Sequence, residues 1–128
     1  MLTRRSLLAC AAAFAALPTL AHAFEIEAYD PVRAQAAIAA GKRVVVHVYA
    51  DWCSQCHAQK AILEGLEKAG TYDSIAFFRV DFDAQQDVVA KLKCPRSTLI
   101  AYKGGKEVKR DSFGVTRESV EDVLNAAL

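Results

Sequence analysis

The chain has 128 residues, with 16 Lys and Arg against 15 Asp and Glu and a formal net charge of +1. This balance, without a basic cluster, argues against nucleic acid as a partner, and the length suffices for one domain with a modest core. Of the four cysteines, Cys10 lies in the apolar N-terminal stretch. The other three, Cys53, Cys56 and Cys94, are a close pair and one odd thiol rather than the larger, even set of a disulfide scaffold, so they indicate redox or metal chemistry.

The first 23 residues have the pattern of a secretory signal peptide. A charged start that contains an arginine pair precedes an apolar stretch over 7–20, and the small residues of a cleavage site follow at 21–23. The apolar stretch is shorter than the roughly 20 residues of a membrane span. We therefore predict export to the periplasm and a mature domain over residues 24–128, with either the general secretory route or a twin-arginine route.

The elements of the mature domain follow from periodicity and caps. Residues 24–28 predict a short edge strand, and Asp30 followed by Pro31 is typical of a helix start. The valine-rich run over 44–50 predicts a strand buried on both faces, and a helical pattern begins directly after it. The remaining predicted elements are a strand at 75–80, a helix at 85–92, a strand at 98–102, a hairpin turn at 103–106, a strand at 107–112 and a final helix capped by Thr116.

Two cysteines, Cys53 and Cys56, stand where the buried strand gives way to the helix. The first turn of a helix has unpaired N–H groups and a partial positive charge, and both stabilise a thiolate. The thiolate is the nucleophile in disulfide exchange. We expect Cys53 to be exposed and reactive, and Cys56 to attack a mixed disulfide on Cys53 and release the substrate.

Two segments together carry a resemblance to the thioredoxin superfamily. Residues 49–56, Tyr-Ala-Asp-Trp-Cys-x-x-Cys, are similar to its active-site segment, and residues 97–105 are similar to its later strand and turn. The resemblance, strongest to periplasmic members, implies an α/β thioredoxin fold with a central mixed sheet flanked by helices. It also implies a monomeric thiol–disulfide oxidoreductase that needs no cofactor, since the cysteines carry the electrons.

The same resemblance implies the partners and the contact surface. The substrates would be exported proteins with disulfides or thiols, and a membrane-bound redox partner would exchange electrons with the pair. Trp52 is expected to shield the cysteines and to offer a flat contact surface. The family also places a cis-proline opposite the pair, where its backbone pairs with substrate. Here Ser97 takes that position if the following strand needs no insertion, which we favour, and Pro95 takes it otherwise.

Two further residues depart from the family pattern. His47 stands where thioredoxins often bury an aspartate that moves protons to and from the second cysteine. With an ordinary pKa near 6.5, it is a candidate base for Cys56, unless it faces the other side of the sheet. Cys94 is predicted to lie in the loop that faces the pair. It is a candidate resolving thiol or metal ligand, or simply a small apolar residue.

Two other kinds of site compete with the redox interpretation. The C-x-x-C-H motif over 53–57 is also the attachment site of c-type haem. The only methionine is Met1, which leaves with the signal, so no methionine axial ligand remains. The stronger alternative is a thioredoxin-like carrier of copper(I) or zinc, which prefer thiolate and imidazole ligands. Its ligands would be Cys53, Cys56 and one of His57, His47 or Cys94.

Overall fold

The structure is a computed structural model that describes residues 24–128. The predicted signal peptide lies outside the described residues. The elements in chain order are β1 (Ile26–Ala28), α1 (Pro31–Ala39), β2 (Val44–Tyr49), α2 (Ser54–Ala69), β3 (Ala76–Asp81), α3 (Gln86–Leu92), β4 (Thr98–Lys103), β5 (Lys106–Ser112) and α4 (Arg117–Ala127). This order is the one predicted, and the bounds differ from the predicted ones by a residue or two.

The five strands form one mixed sheet in the order β1-β3-β2-β4-β5, so the valine-rich strand β2 lies at its centre. The strands β1, β3 and β2 run parallel, while β4 is antiparallel to β2 and β5 is antiparallel to β4. The parallel strands β2 and β3 therefore end at the same edge of the sheet, and the cysteine segment begins there. The mixed sheet flanked by helices confirms the predicted fold class.

Alternation along β2 supplies both faces of the sheet with apolar side chains. Val44, Val46 and Val48 pack in a cluster with residues of α1 and α3. Val45 packs in a second cluster with residues of α2 and α4. Both faces are buried, as the continuous valine run predicted. His47 has the parity of Val45, so it lies on the face covered by α2.

Helix α2 begins and ends at clear caps. Cys53 is its N-cap, and Gly70 ends it in the left-handed region with φ of 72°, which glycine adopts without strain. The buried stripe of α2 consists of Cys56, Gln59, Leu63 and Leu66. One polar residue, Gln59, thus stands among apolar neighbours in the core. Within residues 24–128, no helix is long and apolar enough to cross a membrane.

Candidate active site

The two cysteines lie in the first turn of α2, and both are free thiols. The backbone N–H of Cys56 donates to the sulfur of Cys53 at 3.2 Å, so the sulfur takes the place of the oxygen that usually caps a helix. The thiol of Cys56 points instead towards the carbonyl oxygen of Val48, 3.9 Å away. The helix N-terminus therefore acts on Cys53, as the sequence predicted.

The pKa values of the two thiols move in opposite directions. Burial raises both, and for Cys53 it is the largest single effect. In Cys53, hydrogen bonds from the thiol and the backbone N–H of Cys56, together with the Arg96 guanidinium, outweigh burial and lower the pKa. In Cys56, burial and the neighbouring Cys53 outweigh the groups that favour its thiolate, so its pKa is raised. These opposite shifts favour the thiolate at Cys53 and the protonated thiol at Cys56.

The expectation that Cys53 is exposed is wrong, since only 2 % of its surface is accessible. It packs with Ala50 and Cys56 against the rings of Tyr49 and Phe82. The physical reason is that these neighbours enclose the sulfur while it caps the helix, so the cap does not leave it open to solvent. Attack on a disulfide therefore requires a substrate in close contact with the rim around Cys53.

Ser97, not Pro95, lies beside the cysteine pair. Ser97 is fully buried, and its N–H donates to the Val48 carbonyl at 2.8 Å. Its hydroxyl has no conventional hydrogen-bond partner, but it lies close enough to the Cys56 thiol to favour its thiolate and so partly offset the raised pKa. Pro95 is exposed, and its carbonyl accepts from the Thr98 hydroxyl at 2.9 Å.

The backbone at Ser97 also differs from that of a proline. Its φ of 59° lies in the left-handed region, whereas a proline ring holds φ near −65°. All peptide bonds within residues 24–128 are trans. The position that faces the pair is therefore built with an N–H donor and a hydroxyl in place of a pyrrolidine ring. The part of Ser97 and Pro95 in substrate binding stays a prediction.

His47 faces α2, and other side chains hold both of its ring nitrogens. Its Nδ1 accepts from Arg79 Nε at 3.4 Å, so Nε2 carries the proton and donates to Gln59 Oε1 at 2.9 Å. Burial first, and then the charge of Arg79, lower the pKa of His47 to about 4. The structure does not bring the ring into contact with Cys56, and proton transfer by His47 stays a prediction.

Gln59 extends this chain of hydrogen bonds to the loops around the cysteines. Its Nε2 donates to the carbonyl of Ser97 at 3.1 Å and to the carbonyl of Gly114 at 3.0 Å. A Cβ on Gly114 would lie 2.1 Å from the Asp111 carboxylate and 2.9 Å from the Ser119 Cβ, so a side chain at this position would have to displace both residues. Gln59 was not among the predicted site residues, although a polar residue in an apolar helical stripe indicates a buried hydrogen-bond partner.

Trp52 stands at the rim of the pair with 59 % of its surface exposed. Its indole N–H donates to the Asp83 carboxylate at 2.9 Å, and the Arg96 guanidinium lies 4.8 Å from its ring centre. This placement agrees with a flat contact surface beside Cys53. Arg96 was not among the predicted site residues, although it directly precedes Ser97.

The candidate metal ligands do not converge. His57 Nε2 donates to the carbonyl of Asp51 at 2.6 Å, beside the Tyr49 ring. Cys94 packs with the cluster on the α1 and α3 face, so the expectation that it faces the pair is wrong. Burial raises the pKa of its thiol. Across residues 24–128, no three His, Cys, Asp or Glu side chains lie together in a way that would hold a metal ion.

Comparison with known proteins agrees with this geometry. The sequence model of the thioredoxin family matches residues 17–126. Thioredoxin-2 of Saccharomyces cerevisiae is 46 % identical over 77 residues, which cover 58 % of this chain and 71 % of that protein. Thioredoxin of Ictalurus punctatus is 33 % identical over 89 residues, which cover 68 % and 81 %. The crystal structure of Trxlp from Edwardsiella tarda EIB202 aligns with a TM-score of 0.71 at 33 % identity, over 78 % of this chain and 98 % of that one. With its dithiol at the start of α2, the chain belongs to the thioredoxin family of thiol–disulfide oxidoreductases.

Proposed function

We propose that this oxidoreductase exchanges disulfides with exported proteins in the bacterial cell envelope, with Cys53 as the attacking thiol and Cys56 as the resolving thiol. The observation that supports this chemistry is the difference in surroundings between the two sulfurs. Cys53 caps the helix and has a lowered pKa, while Cys56 is buried with a raised one. The pattern of residues 1–23 supports export.

The reaction runs in two balanced steps. The Cys53 thiolate attacks one sulfur of the substrate disulfide, the new bond joins Cys53 to that sulfur, and the other sulfur leaves as a thiolate. Cys56 then loses its proton to the released thiolate and attacks the Cys53 sulfur. The Cys53–Cys56 disulfide forms, the second substrate sulfur departs, and the protein has passed two electrons to the substrate. The reverse sequence oxidises substrate thiols.

Continuous turnover in the envelope requires an electron partner. The Cys53–Cys56 disulfide left by one reductive cycle must be reduced before the next, and oxidative cycles need the opposite exchange. Outside the cytoplasm, a membrane-bound redox protein would supply or remove these electrons. We therefore include such a partner in the proposal, alongside protein substrates and a monomeric state.

Single cysteine variants test the assigned roles in an insulin-reduction assay driven by dithiothreitol. We expect Cys53→Ser to abolish catalysis and Cys56→Ser to trap a mixed disulfide with the substrate, which non-reducing electrophoresis and mass spectrometry detect. Cys94→Ser is the matched control and keeps full turnover, since Cys94 packs away from the pair. Exchange that persists in Cys53→Ser would overturn the assignment.

A reporter fusion tests export separately. Residues 1–23 joined to alkaline phosphatase, which is active only where its disulfides form, should give an active enzyme in intact bacteria. Removal of residues 7–20 from the fusion should abolish that activity. Replacement of Arg4 and Arg5 by lysine in the full-length protein distinguishes the routes, because a twin-arginine route stops while the general route continues. An inactive fusion, together with full-length protein that is found only in the cytoplasmic fraction, would overturn the envelope location but not the exchange chemistry.

A further inference from the structure

Arg96 lies between two exposed aromatic rings at the rim of Cys53. Its guanidinium carbon is 4.8 Å from the ring centre of Trp52 and 5.4 Å from that of Phe113. The three residues come from three separate loops, which precede α2, precede β4 and follow β5. Stacking on both sides holds a cation by its attraction to the ring faces. The position of Arg96 is thus determined by the fold.

The loops that carry this cluster are themselves tied down. The indole N–H of Trp52 donates to Asp83, and the backbone N–H of Phe113 donates to the Ser97 carbonyl at 2.8 Å. The Ser97 carbonyl also accepts from Gln59, so the residue next to Arg96 is held from the helix side. A rim built in this way is organised before any substrate arrives, and it does not have to be ordered on binding.

Arg96 has no acidic partner within the described part of the chain. The ion pairs of residues 24–128 use Arg33, Arg110 and Arg117, and the Nε of Arg96 is buried without a hydrogen-bond acceptor. A guanidinium is a planar fork of donors that matches a carboxylate in two hydrogen bonds. An arginine that is held in place beside the Cys53 sulfur and has no carboxylate paired with it is therefore suited to an incoming anion.

The surface around Arg96 is apolar and open. Phe113 and Val115 expose 41 % and 47 % of their surfaces, and Trp52 exposes more than half. Two carboxylates lie in the neighbouring loops. That of Asp83 accepts from the indole N–H of Trp52, and that of Asp111 lies against Gly114. Neither carboxylate forms an ion pair with Arg96. An arriving chain therefore meets an unpaired cation beside the exposed side chains of Trp52, Phe113 and Val115. The complementary partner is a segment with a carboxylate and apolar neighbours.

We propose that Arg96, Trp52 and Phe113 form a docking surface for protein segments in which an acidic residue lies next to the substrate disulfide. The proposal rests on the exchange function assigned to Cys53 above. In the free protein, the cation faces the Cys53 thiolate. Once Cys53 has joined the substrate sulfur, that negative charge is gone, and the guanidinium pairs with the substrate carboxylate while Cys56 completes the exchange.

A pair of disulfide peptides tests this docking surface. The two peptides are identical except for a glutamate or a glutamine beside the half-cystine that Cys53 attacks. We measure kcat/KM for their reduction by the whole mature protein with dithiothreitol as electron source. The wild type should prefer the glutamate peptide by about tenfold, the effect of a charge-assisted hydrogen bond in a partly desolvated site. Arg96→Gln should reduce this preference to near unity.

The ratio of the two rates separates docking from reactivity. Loss of Arg96 also raises the pKa of Cys53 and so makes less thiolate available. This lowers kcat/KM for both peptides by the same factor, and the ratio of the two values stays unaffected. Arg96→Lys keeps the charge without the fork and should retain part of the preference. Arg33→Gln, a change to an exposed arginine on α1, is the matched control and should keep the wild-type ratio.

Each result decides the proposal. A tenfold preference that disappears in Arg96→Gln and persists in Arg33→Gln supports the docking surface. Equal rates for both peptides with the wild type, or a preference that survives in Arg96→Gln, overturn it while the exchange function stands. A wild type that reduces neither peptide overturns the exchange function, and the docking surface with it.

Discussion

Cys53 and Cys56 occupy the same helical turn, yet their surroundings shift the pKa values of the two thiols in opposite directions. The Cys53 sulfur accepts an N–H at the helix end and faces the Arg96 cation, so its pKa falls. The Cys56 sulfur is fully buried, and it points to the Val48 carbonyl with a raised pKa. A separation of three residues is thus enough to lower the pKa of one thiol and to raise that of the other.

The two thiols nevertheless depend on one short loop. Arg96 favours the thiolate of Cys53, and its neighbour Ser97 favours that of Cys56. Neither residue belongs to the strand–helix segment that carries the cysteines. The loop thus lowers the pKa of both thiols, whereas burial and the contact between the two cysteines at the helix cap cause most of the difference between them.

The largest effect is expected from Gln59→Leu, which removes the amide that holds Ser97 beside Cys56. The change leaves the His47 N–H and the Gly114 carbonyl without a hydrogen-bond partner. The Ser97 carbonyl loses one of its two donors and keeps the backbone N–H of Phe113. Buried polar groups without partners cost about 1 to 3 kcal/mol each, so the free energy of unfolding should fall by about 4 kcal/mol. Urea unfolding at neutral pH measures it.

The matched control is Gln35→Leu, the same substitution at an exposed position of α1. Surface changes of this kind usually alter stability by about 0.5 kcal/mol or less. If Gln59→Leu costs no more than this control, the hydrogen-bond chain does not hold the Ser97 loop beside Cys56.

Acid should lower the stability of the protein by protonating His47, which belongs to the same chain of hydrogen bonds. Its pKa is lowered to about 4 in the folded protein, against about 6.5 in the unfolded chain. The folded state favours the neutral ring, so this stabilisation is complete above pH 6.5 and is lost as the pH falls towards 4. The whole shift corresponds to about 3 kcal/mol.

Urea unfolding across this pH window checks the effect, with His47→Gln as the reference, because the variant has no group that titrates at position 47. We expect the stability of the wild type to fall more steeply with acid than that of the variant. Two parallel profiles would show that protonation of His47 does not disturb the fold.

Arg96→Gln should change the reactivity of Cys53 and leave that of Cys56 as it is. Without the guanidinium the pKa of Cys53 rises, so its alkylation by iodoacetamide at about pH 6 should slow by roughly fivefold. A less stable thiolate also destabilises the reduced form, so the reduction potential should become more negative. Mass spectrometry follows each cysteine separately, and Arg33→Gln serves as control. An unchanged rate at Cys53 would contradict the assigned influence of Arg96.

Ser97→Ala should produce the smallest effect, and it should change the reactivity of Cys56 only. Removal of the hydroxyl raises the pKa of Cys56 further, which should slow the release of a mixed disulfide by about threefold, the effect of one weak hydrogen bond. Single-turnover quenching measures this step, and Ser74→Ala, at an exposed loop position, is the control. A change at Cys53 instead of Cys56 would contradict the assignment.

Much of this architecture could be predicted from short stretches of the sequence. The valine run predicted the central buried strand, and the strand-to-helix transition placed Cys53 at a helix start, where the cap is found. These features depend on periodicity and on groups a few residues apart. The same local reasoning was wrong about the exposure of Cys53, since the helix pattern does not tell which way a capping side chain turns.

The remaining features depend on contacts between distant parts of the chain. Gln59 reaches carbonyls 38 and 55 positions away, and Arg96 stacks on two rings from other loops. Cys94 was expected near the pair, but the path of its loop takes it to the other face of the sheet. The order of elements, the dithiol and its place at a helix end could be predicted from the sequence, because they depend on residues that are neighbours along the chain. The surroundings of each sulfur could not, because burial, charge and hydrogen-bond partners come from residues that folding brings together.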